Sequence, residues 1–208
     1  MSINLKITGS GIVSFHKTIL MISVLLPFLN SQLSAQDLSS LYEKVDPAVV
    51  VIFTEEKTLI NNGRTTQTVA SGGLGSGFLI SDRQVISAAH VVQVAENVKV
   101  QFLDGEIIPA KVVSAYKKAD LALLELVWPR KDAVTVALGD SDKVKVGNRV
   151  FVVGAPYGLS HSLSTGHVSG ILKDDRYQNP FAKSEFIQTD AAINHGNSGG
   201  PMFNMKGE

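Results

Sequence analysis

The sequence predicts an all-β protein, built as a barrel or a sandwich. Three observations carry this. From residue 45 onward the chain is a succession of β-branched runs, each four to nine residues long. Glycine and asparagine turn signals punctuate them, among them Asn62-Gly63, Asp104-Gly105, Gly147-Asn148 and Lys206-Gly207. No amphipathic helices alternate with the runs, as a parallel α/β sheet would require.

The first 35 residues read as an address rather than a fold. They contain no acid. Lys6, His16 and Lys17 precede an apolar run, Thr18–Leu29, and the small polar stretch Asn30–Ala35 follows. That order is the order of a secretory signal peptide. As a membrane anchor the run falls short, because it holds Pro27 and about a dozen residues against the ~20 of a spanning helix. The expectation is a cut after Ala35 and no stable membrane span afterwards. The mature chain, 36–208, loses Lys6 and Lys17 and no acid, so 19 bases against 19 acids become a net charge of −2.

Only Asp37–Lys44 reads as a helix. Leu38, Leu41 and Tyr42 share one side, and Asp37 can act as N-cap. The expected strands are Ala48–Thr54, Gly77–Ile80, Val85–Ala88, Val98–Leu103, Ile107–Ser114, Leu121–Val127, Val134–Leu138, Arg149–Val153, Leu163–Ile171, Phe186–Thr189 and Pro201–Asn204. Proline and charge at Trp128-Pro-Arg-Lys-Asp132 divide them into two groups, about 45–128 and 133–208.

Composition narrows the function. A balanced charge and 7% aromatic residues disfavour a nucleic-acid-binding barrel. The chain has no cysteine, which removes disulfides, thiolate nucleophiles and cysteine zinc sites. An exported chain that needs no oxidative folding fits a bacterial envelope. His161 and His167 lack partners at a metal-ligand spacing, so no metal is expected.

Gly196-Asn-Ser-Gly-Gly-Pro201 places a serine among glycines. A substrate backbone can approach such a hydroxyl closely, and successive amides in such a turn can converge on one point. By itself the segment is equally an ordinary glycine turn. A serine hydroxyl also needs a base, and the base needs an orienting partner. Ser87-Ala-Ala-His90 offers the base, with the imidazole expected to be held by packing. Ala119-Asp120-Leu-Ala-Leu-Leu124 offers the orienter, a carboxylate at the head of an apolar strand, where it is costly unless paired. Each has a plain alternative as a core histidine or a turn aspartate. Together they run His90, Asp120, Ser198, spaced by 30 and 78 residues.

These three segments resemble the catalytic motifs of trypsin-like serine proteases, and most nearly those of the HtrA (DegP-like) branch. Gly75-Ser-Gly-Phe-Leu79, Leu138-Gly-Asp-Ser-Asp142, Val153-Gly-Ala-Pro-Tyr-Gly158, Ser164-Thr-Gly-His-Val-Ser-Gly170 and Phe186–Asn194 match in the same order. The resemblance implies two six-stranded β-barrels with an active site between them. His90 and Asp120 would come from the first barrel and Ser198 from the second. Gly196, Asn197 and Ser198 would form the oxyanion turn, with the Gly196 and Ser198 N–H groups as donors. Ala192 and Ile193 would line the pocket for the residue before the cut, which carries no acid and so suits a small or medium aliphatic side chain. The implied substrates are unfolded or damaged envelope proteins, without a cofactor, and the implied assembly is a homotrimer in the periplasm. A binding or chaperone module without turnover is the alternative. Glu208 lies ten residues after Ser198, so the second barrel is expected to be incomplete in this chain, with no room for the PDZ domains the branch usually carries. His195 replaces a proline common in the branch, which removes one restraint on the turn. Asn197 replaces the aspartate of digestive proteases, so activation by a new N-terminal ammonium is not expected.

Overall fold

The structure, a computed structural model, describes residues 38–61, 66–155, 161–173 and 185–208. The expected leader, the Asp37 cap, the Asn62-Gly63 turn and Pro156–Gly158 lie outside the described residues. Helix α1 (Leu38–Val45) leads through a 3₁₀ turn at Asp46–Ala48 into strand β1 (Val49–Asn61). Next come β2 (Thr66–Leu79), β3 (Gln84–Ser87), helix α2 (Ala89–Val92), β4 (Asn97–Gln101), β5 (Ile107–Tyr116) and β6 (Leu121–Leu126). These six strands close into a barrel in the order β1-β2-β3-β6-β5-β4. Every pairing within it is antiparallel, with a bulge in β5 between Val112 and Ser114.

The barrel follows from alternation. In β4, Val98 and Val100 turn inward while Asn97 and Lys99 stay out. In β6, Ala122, Leu124 and Leu126 do the same. A two-residue period gives each strand one apolar face. Strand β1 differs, because Val49–Ile52 is buried throughout. Val50 and Ile52 enter the barrel core, whereas Val49 joins a second core. A continuous apolar run is what a strand covered on both faces needs.

That second core gathers Leu41 and Val45 of α1 with Phe151, Val153 and Phe203. Phe151 and Phe203 stack with ring centres 5.0 Å apart. The last two residues come from a four-stranded sheet of β7 (Arg149–Gly154), β8 (Ser162–Lys173), β9 (Glu185–Thr189) and β10 (Met202–Asn204), ordered β10-β7-β8-β9. The apolar side of α1, with Leu38 and Tyr42, packs into this core within the subunit.

Two expectations need correction. Val134–Leu138 is not a strand. Among the described residues its backbone bond to a strand is the one from the Val136 N–H to the Leu79 carbonyl at the end of β2, 2.9 Å, and one bond makes no ladder. The expected strand Val85–Ala88 ends at Ser87, and Ala89–Val92 forms a single helical turn with Ala88 at its N-cap.

Candidate active site

Strand β3 ends at Ser87, and α2 carries His90 in its only turn. No side chain of its own segment caps that turn. Asp120 does so from a distance. Its carbonyl accepts the Ala89 N–H at 3.1 Å, and its Oδ1 accepts the His90 N–H at 2.9 Å. The other carboxylate oxygen, Oδ2, lies 2.7 Å from His90 Nδ1. Asp120 reaches all three groups because it sits at φ 51° in a turn just before β6. Aspartate tolerates that left-handed conformation better than most residues.

The sequence reading of these two side chains was wrong in one respect. His90 and Asp120 are about half exposed, at 52% and 50% of the side chain. The imidazole is held by its Nδ1 contact with Asp120 rather than by packing, and no buried carboxylate needs rescue.

Ser198 lies in the turn that leads from β9 to β10. Gly196 at φ 98° and Gly199 at φ 83° shape it. At Gly199 a Cβ would lie 2.4 Å from both the Ser76 carbonyl and Ser87 Oγ, so glycine is required for space as well as for φ. The Gly200 N–H donates to the Asn197 carbonyl at 2.9 Å, and the Asn197 N–H to the Asn194 carbonyl at 3.1 Å. Asn197 was expected within the oxyanion turn. Its amide is committed to closing that turn and is not an available donor. The Gly196 and Ser198 amides have no partner among the described residues.

His90 and Ser198 line one cleft of about 300 Å³. Gly73 and Leu74 of β2, Val91, His195 and Gly196 complete it. His195 is exposed at its rim. Ala192 and Ile193 are also exposed and do not line this cleft. The Ala192 carbonyl accepts a bond from Ser164 Oγ at 2.7 Å. A separate, more apolar cleft of about 280 Å³ lies between Phe78, Val136, Ile187 and Met202, and is lined by none of His90, Asp120, Ser198, Ala192 and Ile193.

Sequence reasoning missed two groups. Ser76 is fully buried beneath the Ser198 turn. His161, which the sequence offers only as a loop or strand residue, is paired with Asp46 at 2.8 Å, and both side chains are at least nine-tenths buried. No local signal marks either, since Gly196 lies 120 residues from Ser76 and Asp46 lies 115 residues from His161.

The arrangement can hold an imidazole in one orientation beside a serine hydroxyl and two amides. Comparison with known proteins agrees with that chemistry. Residues 75–208 match the family described as trypsin-like peptidase domain. A probable periplasmic serine endoprotease, DegP-like, of Pseudomonas putida is 47% identical over 139 residues, covering 65% of this chain and 28% of that protein. Its counterpart in Pseudomonas fulva is 36% identical over 209 residues, covering 83% of this chain and 42% of that protein. The chain thus spans less than half the length of these curated relatives. Among solved structures, HtrA-type protease AlgW with a tripeptide is 27% identical with a TM-score of 0.68, over 81% of this chain and 51% of that one.

Proposed function

The chain belongs to the trypsin-like peptidase family, and from that membership and the cleft geometry we propose that it is a serine endopeptidase of the HtrA type. The observation that carries this is the 2.7 Å His90–Asp120 contact at the edge of the cleft that also holds Ser198. In the proposed reaction Ser198 Oγ attacks the scissile carbonyl carbon and its proton passes to His90 Nε2. Asp120 Oδ2 holds the Nδ1 proton, which fixes the tautomer and stabilises the imidazolium. The carbonyl oxygen takes up the electron pair and is met by the Gly196 and Ser198 amides. When the C–N bond breaks, His90 returns its proton to the leaving amine. Water, activated by the same imidazole, then releases the acyl group and restores Ser198.

The protein acts in the periplasm on unfolded or damaged polypeptides, after removal of residues 1–35. The family likeness, rather than the lining of the described cleft, supports Ala192 and Ile193 as part of the pocket for the residue before the cut. Assembly as a homotrimer is supported by the family likeness alone, since α1 spends its apolar side within the subunit. Light scattering of the mature full-length protein tests that assembly, and a monomer at micromolar concentration rejects it.

The decisive test of activity is fluorophosphonate labelling together with casein cleavage. Wild-type protein should do both, and Ser198→Ala neither. Turnover by Ser198→Ala would reject the mechanism. Casein binding without labelling or cleavage would favour a protease-fold chaperone.

A further inference from the structure

We propose that Ser76 is a positioning residue for the oxyanion turn, an inference that rests on the peptidase reading above. Ser76 lies in β2, opposite Val51 of β1, and is 0% exposed. All its polar groups are used. Its Oγ–H donates to the Gly196 carbonyl at 2.6 Å, and the same oxygen accepts the Ala155 N–H at 3.0 Å. Its N–H donates to the Ser198 carbonyl at 2.8 Å. Its carbonyl accepts from Ser87 Oγ at 2.8 Å. One residue therefore grips the carbonyls of the two residues that flank Asn197, the end of β7 and the end of β3.

The turn needs such a grip. Gly196, Gly199 and Gly200 carry no side chain to limit their dihedrals, and a glycine peptide plane rotates with little steric resistance. His195 leaves φ unfixed where a proline would set it. The Gly196 carbonyl belongs to the peptide plane that adjoins the Gly196 Cα, so its direction sets ψ at the residue whose N–H is a proposed oxyanion donor. The Ser198 carbonyl fixes the other proposed donor residue in the same way. Oxyanion stabilisation depends on donors already aimed before reaction. A donor displaced by about 1 Å loses on the order of 10² in rate. Ser76 touches neither substrate nor the reacting atoms, and acts through Gly196 and Ser198.

The contacts around it suit this role more than simple filling of space. A Cβ at Gly200 would lie 3.2 Å from Ser76 Cβ, and one at Gly199 2.4 Å from the Ser76 carbonyl. The turn is thus seated directly on Ser76, with no side chain between.

The test is Ser76→Ala in the full-length protein. The expected result is a fall in kcat of roughly 10- to 100-fold, below the 10²–10³ lost when an oxyanion donor is itself removed, with KM changed less than about threefold. A peptide boronate, which forms a tetrahedral adduct on Ser198, should lose affinity by the same factor as kcat/KM. The parent peptide should bind the Ser198→Ala and Ser76→Ala/Ser198→Ala proteins equally. A purely structural role would lower thermal stability while leaving kcat of the folded fraction and the boronate-to-peptide ratio unchanged, and that outcome overturns the proposal. Should the alanine protein not fold, Ser76→Cys, which keeps the shape and a weaker donor, is read by the same ratio, with about a three- to tenfold loss expected and an unchanged ratio overturning the proposal. Failure of wild-type protein to label with fluorophosphonate would instead remove the peptidase reading, and this inference with it.

Discussion

Replacing His161 with alanine leaves the Asp46 carboxylate buried and without its nearest partner. In the structure His161 Nδ1 lies 2.8 Å from Asp46 Oδ1, with side-chain exposures of 4% and 9%. The Tyr42 hydroxyl lies over the same pair, 3.3 Å from the His161 carbonyl and within hydrogen-bond reach of the Asp46 carboxylate. One phenolic proton cannot serve both acceptors fully, so Tyr42 compensates only in part. Removing one member of a buried pair typically costs about 3–5 kcal/mol, because the remaining group stays desolvated. Tyr42 relieves some of this, which puts the expectation near the lower end, about 3 kcal/mol. In a domain of this size that is a fall in Tm of roughly 6–12 °C. Denaturant unfolding of the wild type, His161→Ala, Asp46→Ala and the double variant gives the coupling energy directly. The double variant should be less destabilised than the sum of the singles. Additive losses, or a loss below about 1 kcal/mol for His161→Ala, would show that this pair does not tie the 3₁₀ turn after α1 to the start of β8.

Other outcomes follow from single sites. Burial first, then the Asp46 charge and the hydrogen bond to it, push the Tyr42 phenol above its usual value of 10.0. The folded protein therefore binds that proton more tightly than the unfolded chain does. This stabilisation is fully present below pH ~10 and is lost as pH rises through the higher folded value. Alkaline denaturation should show that loss, and Tyr42→Phe should abolish this part of it. Gly199→Ala should not give active protein, because its φ of 83° is left-handed and the new Cβ would meet the Ser76 carbonyl and Ser87 Oγ at 2.4 Å. Wild-type activity in that variant would show that the turn is far softer than its contacts indicate. Cleavage should favour small or medium aliphatic residues before the cut, since a methylene gains roughly 0.8 kcal/mol on burial whereas an unpartnered lysine or arginine loses several. Mass spectrometry of digested unfolded protein checks this, and an excess of cuts after basic residues would remove Ala192 and Ile193 from the pocket.

Much of the fold was legible because β3, β4 and β6 each bury one face, and a two-residue period is visible in any single strand. The run at Val49–Ile52 was legible as a strand but not as one shared by two cores. That needs Phe151 and Phe203, more than 90 residues on, to be known as its neighbours. Val134–Leu138 has the composition of a strand and failed as one because composition does not supply a partner edge. At the site, the order His90, Asp120, Ser198 was readable, but the manner of their support was not. The reading placed Asp120 by the cost of burying it, whereas the structure leaves it half exposed and uses its backbone turn. Ser76 stood in a quoted motif without a role, since its hydroxyl finds Gly196 only after two sheets have come together.

This division of labour has a physical basis. His90 and Asp120 are half exposed, and solvent-exposed ion pairs contribute little to stability, so the groups that would carry charge in the reaction are not the ones that hold the fold. The reverse holds below them. Ser76 and Ser87 are buried at 0% and 1% exposure and fully hydrogen-bonded. A buried hydroxyl that loses its partner costs about 1–3 kcal/mol, which makes their geometry hard to change. Gly77 pairs with Ser87 across β2 and β3, three residues before His90, while its neighbour Ser76 reaches the Ser198 turn. Two adjacent residues of one strand thus set the distance between the base and the nucleophile. A shift of one residue in the β2–β3 register would exchange the faces on which Ser76 and Gly77 lie. It would break the clamp and move the base at the same time, so the barrel ladder that stabilises the fold also selects the register in which the site can exist.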